Sequence, residues 1–183
     1  DDVTYSATIN IEVVFGQLSY ILLEGHGQTI TSDDQLDINP RGYDLDGNLI
    51  PCVSLNWSIN GVDATSEMRL QNGIFIPSTL GQHEIRAWGN YGSPGSVTVE
   101  VTHGEIHSLS TSLLNPYDTK VFSGESLILV VTANDRAGNE FQTDVNWTFD
   151  YNFGTIETSS GSIGEYELIG QKLGIYSLEY SAN

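Results

Sequence analysis

Oxygen-bearing side chains cluster at one glycine-containing turn of the sequence. Asp44, Asp46 and Asn48 surround Gly47, and calcium in proteins takes about six to eight oxygen ligands, many of them from such carboxylates and amides. The bidentate Glu that closes an EF-hand loop does not follow at its expected position. The spacing therefore predicts a hairpin turn with a residue at positive φ, and a calcium site at Asp44, Asp46 and Asn48 is the alternative.

Two Asn-x-Ser/Thr sequences are candidate glycosylation sites. Asn56-Trp57-Ser58 and Asn146-Trp147-Thr148 both satisfy the acceptor pattern. Successive side chains of a strand point to opposite faces, so outward-facing Asn56 and Asn146 place Trp57 and Trp147 in the core. Glycosylation of Asn56 and Asn146 is one interpretation, and shared repeat ancestry is the other.

Residue sets typical of catalysis do not stand out. His103, Glu105 and His107 alternate and would offer zinc ligands on one strand face, although polar residues are equally expected in a hydrated linker. The sequence has no Gly-x-Ser-x-Gly turn, phosphate-binding loop or His-Glu-x-x-His pattern. We therefore expect a non-catalytic protein without a cofactor, apart from the calcium alternative.

The elements that must position these residues recur with a period near 90. Four markers repeat in the same order, namely Thr8–Gly16 with Ser96–Gly104 (88 positions apart), Tyr43–Asn48 with Asn134–Asn139 (91), Trp57 with Trp147 (90) and Leu80-Gly81 with Leu173-Gly174 (93). Self-similarity of this kind indicates consecutive structural repeats. Each repeat has the size of a small sandwich domain.

Composition favours strands and excludes several classes of partner. The 183 residues include 6 Lys+Arg and 24 Asp+Glu, which gives a formal net charge of −18. That charge repels nucleic-acid phosphates and anionic lipid surfaces. Nineteen Gly, nine Tyr and six Phe are typical of turns and strands. A single cysteine, Cys52, excludes an internal disulfide and suits a small packed thiol, and no apolar run of about 18 residues could span a membrane.

Alternating hydrophobicity predicts strands within both repeats. Leu127, Leu129, Val131 and Ala133 share one apolar face. The aligned segment of the first repeat contains Pro40, which cannot donate a ladder hydrogen bond and so predicts a bulge or an edge. Short strands punctuated by Gly-rich turns indicate an all-β fold of antiparallel sandwiches.

The ordered motifs resemble the bacterial immunoglobulin-like domains of invasin- and intimin-type surface proteins. Gly124–Leu129, Ala133–Asn139 and Val145–Trp147 match the family's Gly-x-Ser strand, Asp-x-x-Gly-Asn hairpin and Trp strand, and Gly73–Pro77 with Gly81–Ala87 extend the match into the first repeat. The resemblance covers about residues 16–183. It implies two tandem immunoglobulin-like antiparallel β-sandwiches, at 16–103 and 104–183, on an extracellular or surface-anchored prokaryotic protein. The family brings no catalytic residues.

Residues 1–15 and the C-terminal repeat are complementary in pattern. Residues 3–15 resemble a last strand with no domain before it, whereas the repeat at 104–183 lacks its own last strand, since Tyr176–Ser181 aligns with the penultimate one. An open sandwich invites another strand. Three interpretations stay open. The chain is a segment of a longer array, or Ile9, Ile11, Val13 and Phe15 of one copy fill the gap in another, or the gap closes within one chain.

These expectations converge on a non-catalytic extracellular module at a prokaryotic cell surface. It would act as a structural or adhesive building block of a stalk, surface layer or filament, with other copies or adjoining immunoglobulin-like domains as partners. One alternative is a glycan- or receptor-binding module that uses the loops at Tyr43–Asn48 and Trp88–Ser93. The other is an accessory region of a larger secreted enzyme.

Overall fold

The computed structural model describes residues 7–51, 53–66, 68–114, 120–150, 152–159 and 162–182. Cys52 and residues 3–6 of the predicted donor strand lie outside the described residues. Contacts divide the chain into two compact units, the first comprising Asp1–Gln28, Leu36–Phe75 and Gln82–Glu100, and the second Thr29–Gln35, Ile76–Gly81 and Val101–Asn183. The predicted domain bounds at 15/16 and 103/104, and the number of sandwiches, stay predictions.

The N-terminal half contains ten strands in its described residues and one four-residue helix. They are β1 (Tyr20–Leu22), β2 (Thr29–Thr31), β3 (Leu36–Asp37), β4 (Arg41–Tyr43), β5 (Leu49–Ile50), β6 (Asn56–Ile59), β7 (Val62–Asp63), α1 (Met68–Gln71), β8 (Ile74–Phe75), β9 (Gly81–Trp88) and β10 (Gly95–Thr102). The sheet orders are β2-β10-β9-β6-β7, β1-β4-β5 and β3-β8. Strands β9 and β10 alternate between buried and exposed side chains, so each gives one face to the core.

The C-terminal half contains the remaining strands. They are β11 (Ser108–Leu113), β12 (Ser126–Asn134), β13 (Glu140–Gln142), β14 (Asn146–Thr148), β15 (Gly154–Thr158), β16 (Glu165–Gly170) and β17 (Glu179–Ser181). One sheet has the order β11-β12-β16-β15, with β13 on β12, and the other is β14-β17. The core of this half is a buried cluster of Leu129, Val131, Phe153, Tyr166 and Leu168.

Pro40 separates two short strands where the aligned β12 runs for nine residues. Residues 38–40 lie between β3 and β4 in no strand, and Asn39 has a φ of 35°. Leu36 and Ile38 are nevertheless buried, so the apolar side chains before Pro40 still pack in the core. The bulge predicted at Pro40 takes the form of this break.

The predicted all-β, antiparallel fold class is confirmed. Pairs such as β6–β9, β11–β12 and β12–β16 are antiparallel, and α1 is the one helix in the described ranges. Within those ranges, no helix has the length and apolar character needed to cross a bilayer.

Candidate functional site

The segment at residues 7–16 exposes an apolar face. Its described residues form no strand, and their side chains are exposed. Ile11 exposes 78% of its surface, and Ile9, Val13 and Phe15 are exposed as well. Alternation of apolar with polar residues over 9–13 is the pattern of a strand with one buried face. The segment therefore has the sequence of a core strand without the burial of one.

Strand β10 shows where such a sequence lies when it is paired. By the repeat alignment, Ile9, Ile11 and Val13 correspond to residues 97, 99 and 101, and these three valines expose 2% or less of their surface. The strand lies between β2 and β9 in its sheet. Equivalent side chains thus differ in burial because only β10 has neighbouring strands in the described part of the chain.

The C-terminal half has a strand edge at the equivalent position. Strand β9, eight residues long, pairs with β6 on one side and β10 on the other. Its counterpart β17 is three residues long and, among the described residues, pairs with β14 alone. The registers correspond, since Trp57 lies opposite Ala87 and Trp147 opposite Tyr180. A free edge and a shortened strand occur together.

The core beside this edge is less complete than its counterpart. Trp57 is fully buried, whereas Trp147 is half-buried. Ile85 is also fully buried, whereas its aligned residue, Leu178, is half-buried. Trp147 packs edge-on to Tyr166, with ring centroids 5.3 Å apart, and against Tyr180 at 5.0 Å. Both tryptophans have a buried indole Nε1 with no hydrogen-bond partner in the described structure.

Asp44 is a hydrogen-bonded turn residue that also holds a glycine 28 positions earlier. Its Oδ1 accepts hydrogen bonds from the amides of Asp46 (3.1 Å) and Asn48 (2.8 Å). Its Oδ2 accepts one from Asn48 Nδ2 (3.0 Å) and one from the Gly16 amide (2.8 Å). Gly47 takes a φ of 82° in the turn. The Asp44 carboxylate therefore fixes the turn and the end of the exposed segment together.

Asp135 repeats this arrangement in the second unit. Its carboxylate accepts hydrogen bonds from the amide and side chain of Asn139 (2.8 and 2.9 Å) and from the Gly104 amide (3.2 Å). The Ser32 hydroxyl adds a fourth at 2.5 Å. A Cβ at Gly104 would overlap the carboxylate of the exposed Asp33 side chain, which would have to move aside. Gly16 and Gly104 are thus equivalent anchor points.

Hydrogen bonding favours the ionised form of both aspartates. The bonds to Asp44, first that from Gly16 and then those from Asn48, lower the pKa of its carboxyl to about 2. Burial raises the pKa of Asp135, but the bonds from Ser32, Asn139 and Gly104 outweigh it and hold the pKa below its usual range. Hydrogen bonds to a carboxylate stabilise its charged form.

The candidate metal ligands are differently disposed. Asp44 is buried, whereas Asp46 and Asn48 are exposed, and both Asp44 oxygens already accept N–H donors. His103 stacks on Phe141 with ring centroids 3.8 Å apart. Among the described residues, no group of three or more His, Cys, Asp and Glu could hold a metal ion. Calcium binding, which would also recruit amide and backbone oxygens, stays a prediction.

The two Asn-x-Ser/Thr sequences lie on equivalent strands in different surroundings. Asn56 is half-buried on β6, opposite Trp88, and Asn146 is exposed on β14, opposite Ser181. Glycosylation at either residue stays a prediction.

Sequence reasoning missed the partners of the two aspartates. It aligned Gly16 with Gly104 and Asp44 with Asp135 but did not connect them. The signal was present in the sequence, because both glycine–aspartate pairs recur at similar separations of 28 and 31 residues. Ser32 lies 103 residues from Asp135, and no local sequence pattern predicts that contact.

Comparisons with known proteins support the fold. No protein-family model matches the chain, and no curated protein sequence matches it. Among solved structures, the Escherichia coli adhesin FdeC is 16% identical with a TM-score of 0.51, over 93% of this chain and 62% of that chain. This likeness is one of fold, and the bacterial immunoglobulin-like type stays a prediction.

Two further structures show weaker likeness. The S-layer protein rSbsC is 16% identical with a TM-score of 0.43, over 93% of this chain and 27% of that chain. The eight N-terminal immunoglobulin domains of Down Syndrome Cell Adhesion Molecule are 14% identical with a TM-score of 0.38, over 90% and 27%. The chain therefore spans between 27% and 62% of the length of these three structures.

Proposed function

We propose that this chain is a non-catalytic structural or adhesive module of a prokaryotic cell surface. Copies of the module join in series by strand complementation. Residues 3–15 of one copy complete the sheet at β17 of another copy, or a strand of an adjoining domain does so. The observation that carries this proposal is the contrast between Ile11, which is 78% exposed, and its aligned residue Val99, which is fully buried.

The free edge of β17 supports the same proposal. An unpaired strand edge presents unsatisfied N–H and C=O groups that another strand can pair with, and strand addition to such an edge is a recurring mode of recognition. A donated strand over β17 would play the part that β10 plays beside β9. It would also cover Trp147 and Tyr180, whose counterparts Trp57 and Ala87 are fully buried.

Surface location rests on the fold and the charge. FdeC, which shares the fold at a TM-score of 0.51, is an adhesin. A net charge of −18 keeps crowded copies of an acidic module apart except where specific pairing overcomes the repulsion. A head-to-tail contact of this kind joins different surfaces of successive copies and builds open chains, or rings where the rotation between copies closes.

Sedimentation velocity of the 183-residue chain tests strand donation. We expect the mass to rise above 20.0 kDa with concentration and to return to that of a monomer when residues 1–15 are deleted. A peptide of residues 3–16 should cap the assemblies, because it occupies the β17 edge of one copy and carries no β17 to accept a further strand.

Matched variants distinguish pairing through the apolar face of the donated strand from non-specific association. Replacing Ile9, Ile11 and Val13 by Ser should abolish assembly, whereas replacing Asn10 and Glu12 by Ser should leave it intact, since these side chains point away from the core in the aligned β10. Assembly that survives deletion of residues 1–15 contradicts the proposal. So does a chain that stays monomeric and does not bind the peptide.

A further inference from the structure

A groove on the outer face of the first unit combines aromatic, cationic, anionic and hydroxyl groups. It has a volume of about 520 Å³ and is lined by Ser58, Gly61, Asp63, Arg86, Trp88, Gly89, Gly92 and Pro94. A site of this size lies within the range that small ligands occupy. Trp88 exposes 36% of its surface, so part of the indole faces the groove.

Three polar side chains line the groove. Arg86 is exposed and makes no ion pair or side-chain hydrogen bond in the described part of the chain, where Arg41 pairs with Glu24. Ser58 is largely buried, and its hydroxyl side chain belongs to the lining of the groove. Asp63 accepts a hydrogen bond from the Thr65 amide (2.9 Å), which lowers the pKa of its carboxyl. Together they offer donors and an anionic acceptor.

The second unit shows that this combination is not a by-product of the repeat. Ser58 lies opposite Arg86 and Asn56 opposite Trp88, whereas the equivalent pairs are Thr148 with Glu179 and Asn146 with Ser181. Strand pairing is thus kept while the cation and the indole are replaced by an acid and a hydroxyl. Sheet stability does not demand Trp88 and Arg86 at these positions.

We propose that this groove binds an uncharged saccharide, with a pyranose ring stacked on Trp88 and its hydroxyl groups bonded to Arg86, Asp63 and Ser58. A pyranose has an apolar C–H face that suits an indole, and its hydroxyls both donate and accept hydrogen bonds. The net charge of −18 disfavours a polyanion. Arg86 next to the indole disfavours a cation, which would otherwise be attracted to the ring face.

Nuclear magnetic resonance of the ¹⁵N-labelled full chain tests this site. The protein is made in a host without N-glycosylation, so Asn56 carries no sugar, and it is titrated with cellobiose, lactose, maltose and N,N′-diacetylchitobiose. We expect at least one disaccharide to shift the Trp88 indole N–H resonance in a saturable way. The Trp57 and Trp147 indole resonances serve as internal references, because both Nε1 atoms are buried.

Variants that carry the second unit's residues give the control. Trp88→Ser and Arg86→Glu should each weaken the affinity by about tenfold or more, equivalent to about 1.4 kcal/mol, while the remaining spectrum reports an intact fold. Gln82→Ala, on the exposed face of β9 outside the groove, should bind as the parent does.

The proposal is overturned if no disaccharide shifts the Trp88 resonance, or if Trp88→Ser and Arg86→Glu bind as well as the parent. It is also overturned if only charged probes, namely choline or a galacturonic acid oligomer, shift that resonance. None of these outcomes bears on strand donation, because the groove and the segment at 7–16 share no residue.

Discussion

Two aspartates at equivalent turns each tie a distant glycine to a hairpin. Asp44 and Asp135 are almost completely buried, and each accepts four hydrogen bonds. A buried carboxylate is tolerated when its oxygens are fully hydrogen-bonded. The Asp-x-x-Gly-Asn motif therefore has a structural task that its turn geometry alone does not reveal, which is to fix the chain at Gly16 and Gly104.

The Asp44 bonds predict an acid dependence of stability. The pKa of Asp44 is lowered from 3.8 to about 2 in the folded protein, so its contribution is fully present above pH 3.8 and is lost as pH falls through about 2. We expect the free energy of unfolding of Asp44→Asn to fall less steeply than that of the parent between these values. Urea denaturation at a series of pH values measures it.

Asp46→Asn is the matched control for this acid dependence. It removes the same charge from an exposed side chain of the same turn. Its free energy of unfolding should fall with decreasing pH as steeply as that of the parent. Equal slopes for the parent and Asp44→Asn would contradict the role assigned to the Asp44 bonds.

Strand β10 and the segment at 7–16 show that one sequence pattern gives different burial. Both alternate apolar with polar residues, but only β10 has strands on both sides in the described structure. The hydrophobic gain depends on the area removed from water, so the same residue type stabilises the protein in one place and contributes little in the other.

Truncation at equivalent positions should reveal this difference. We expect Val99→Ala to lower the free energy of unfolding by about 2 kcal/mol, because it removes buried methyl groups and leaves a cavity. Ile11→Ala should have no measurable effect when the chain is dilute enough to be monomeric, since Ile11 is exposed. Urea denaturation monitored by tryptophan fluorescence measures both variants, and equal losses would contradict the comparison.

The two units differ in how completely their cores are covered. Trp57 is fully buried in the first, and Trp147 is half-buried in the second beside a three-residue strand with one described neighbour. Local stability follows buried apolar contact and protected backbone hydrogen bonds. The second unit should therefore be the less stable of the two until its sheet is completed.

Heating followed by nuclear magnetic resonance tests this difference. We expect the Trp147 indole resonance to lose its native position at a lower temperature than the Trp57 resonance. A peptide of residues 3–16 should raise the Trp147 transition alone, because a ligand that binds only the folded unit stabilises it. A peptide with Ser in place of Ile9, Ile11 and Val13 should have no effect, and simultaneous loss of both resonances would contradict the prediction.

Periodicity and turn chemistry in the sequence determined the all-β class, the repeat and the alternation of β12, because these depend on neighbours along the chain. Even the break at Pro40 follows from a local rule, since proline has no N–H to donate. Tertiary structure alone decided that Asp135 meets Ser32, 103 residues away, and that Trp88, Arg86 and Asp63 line one groove. It also decided that Ile11 is exposed while Val99 is buried. These outcomes depend on which strands become neighbours in space, and a residue's own sequence pattern is the same whether or not such a neighbour is present.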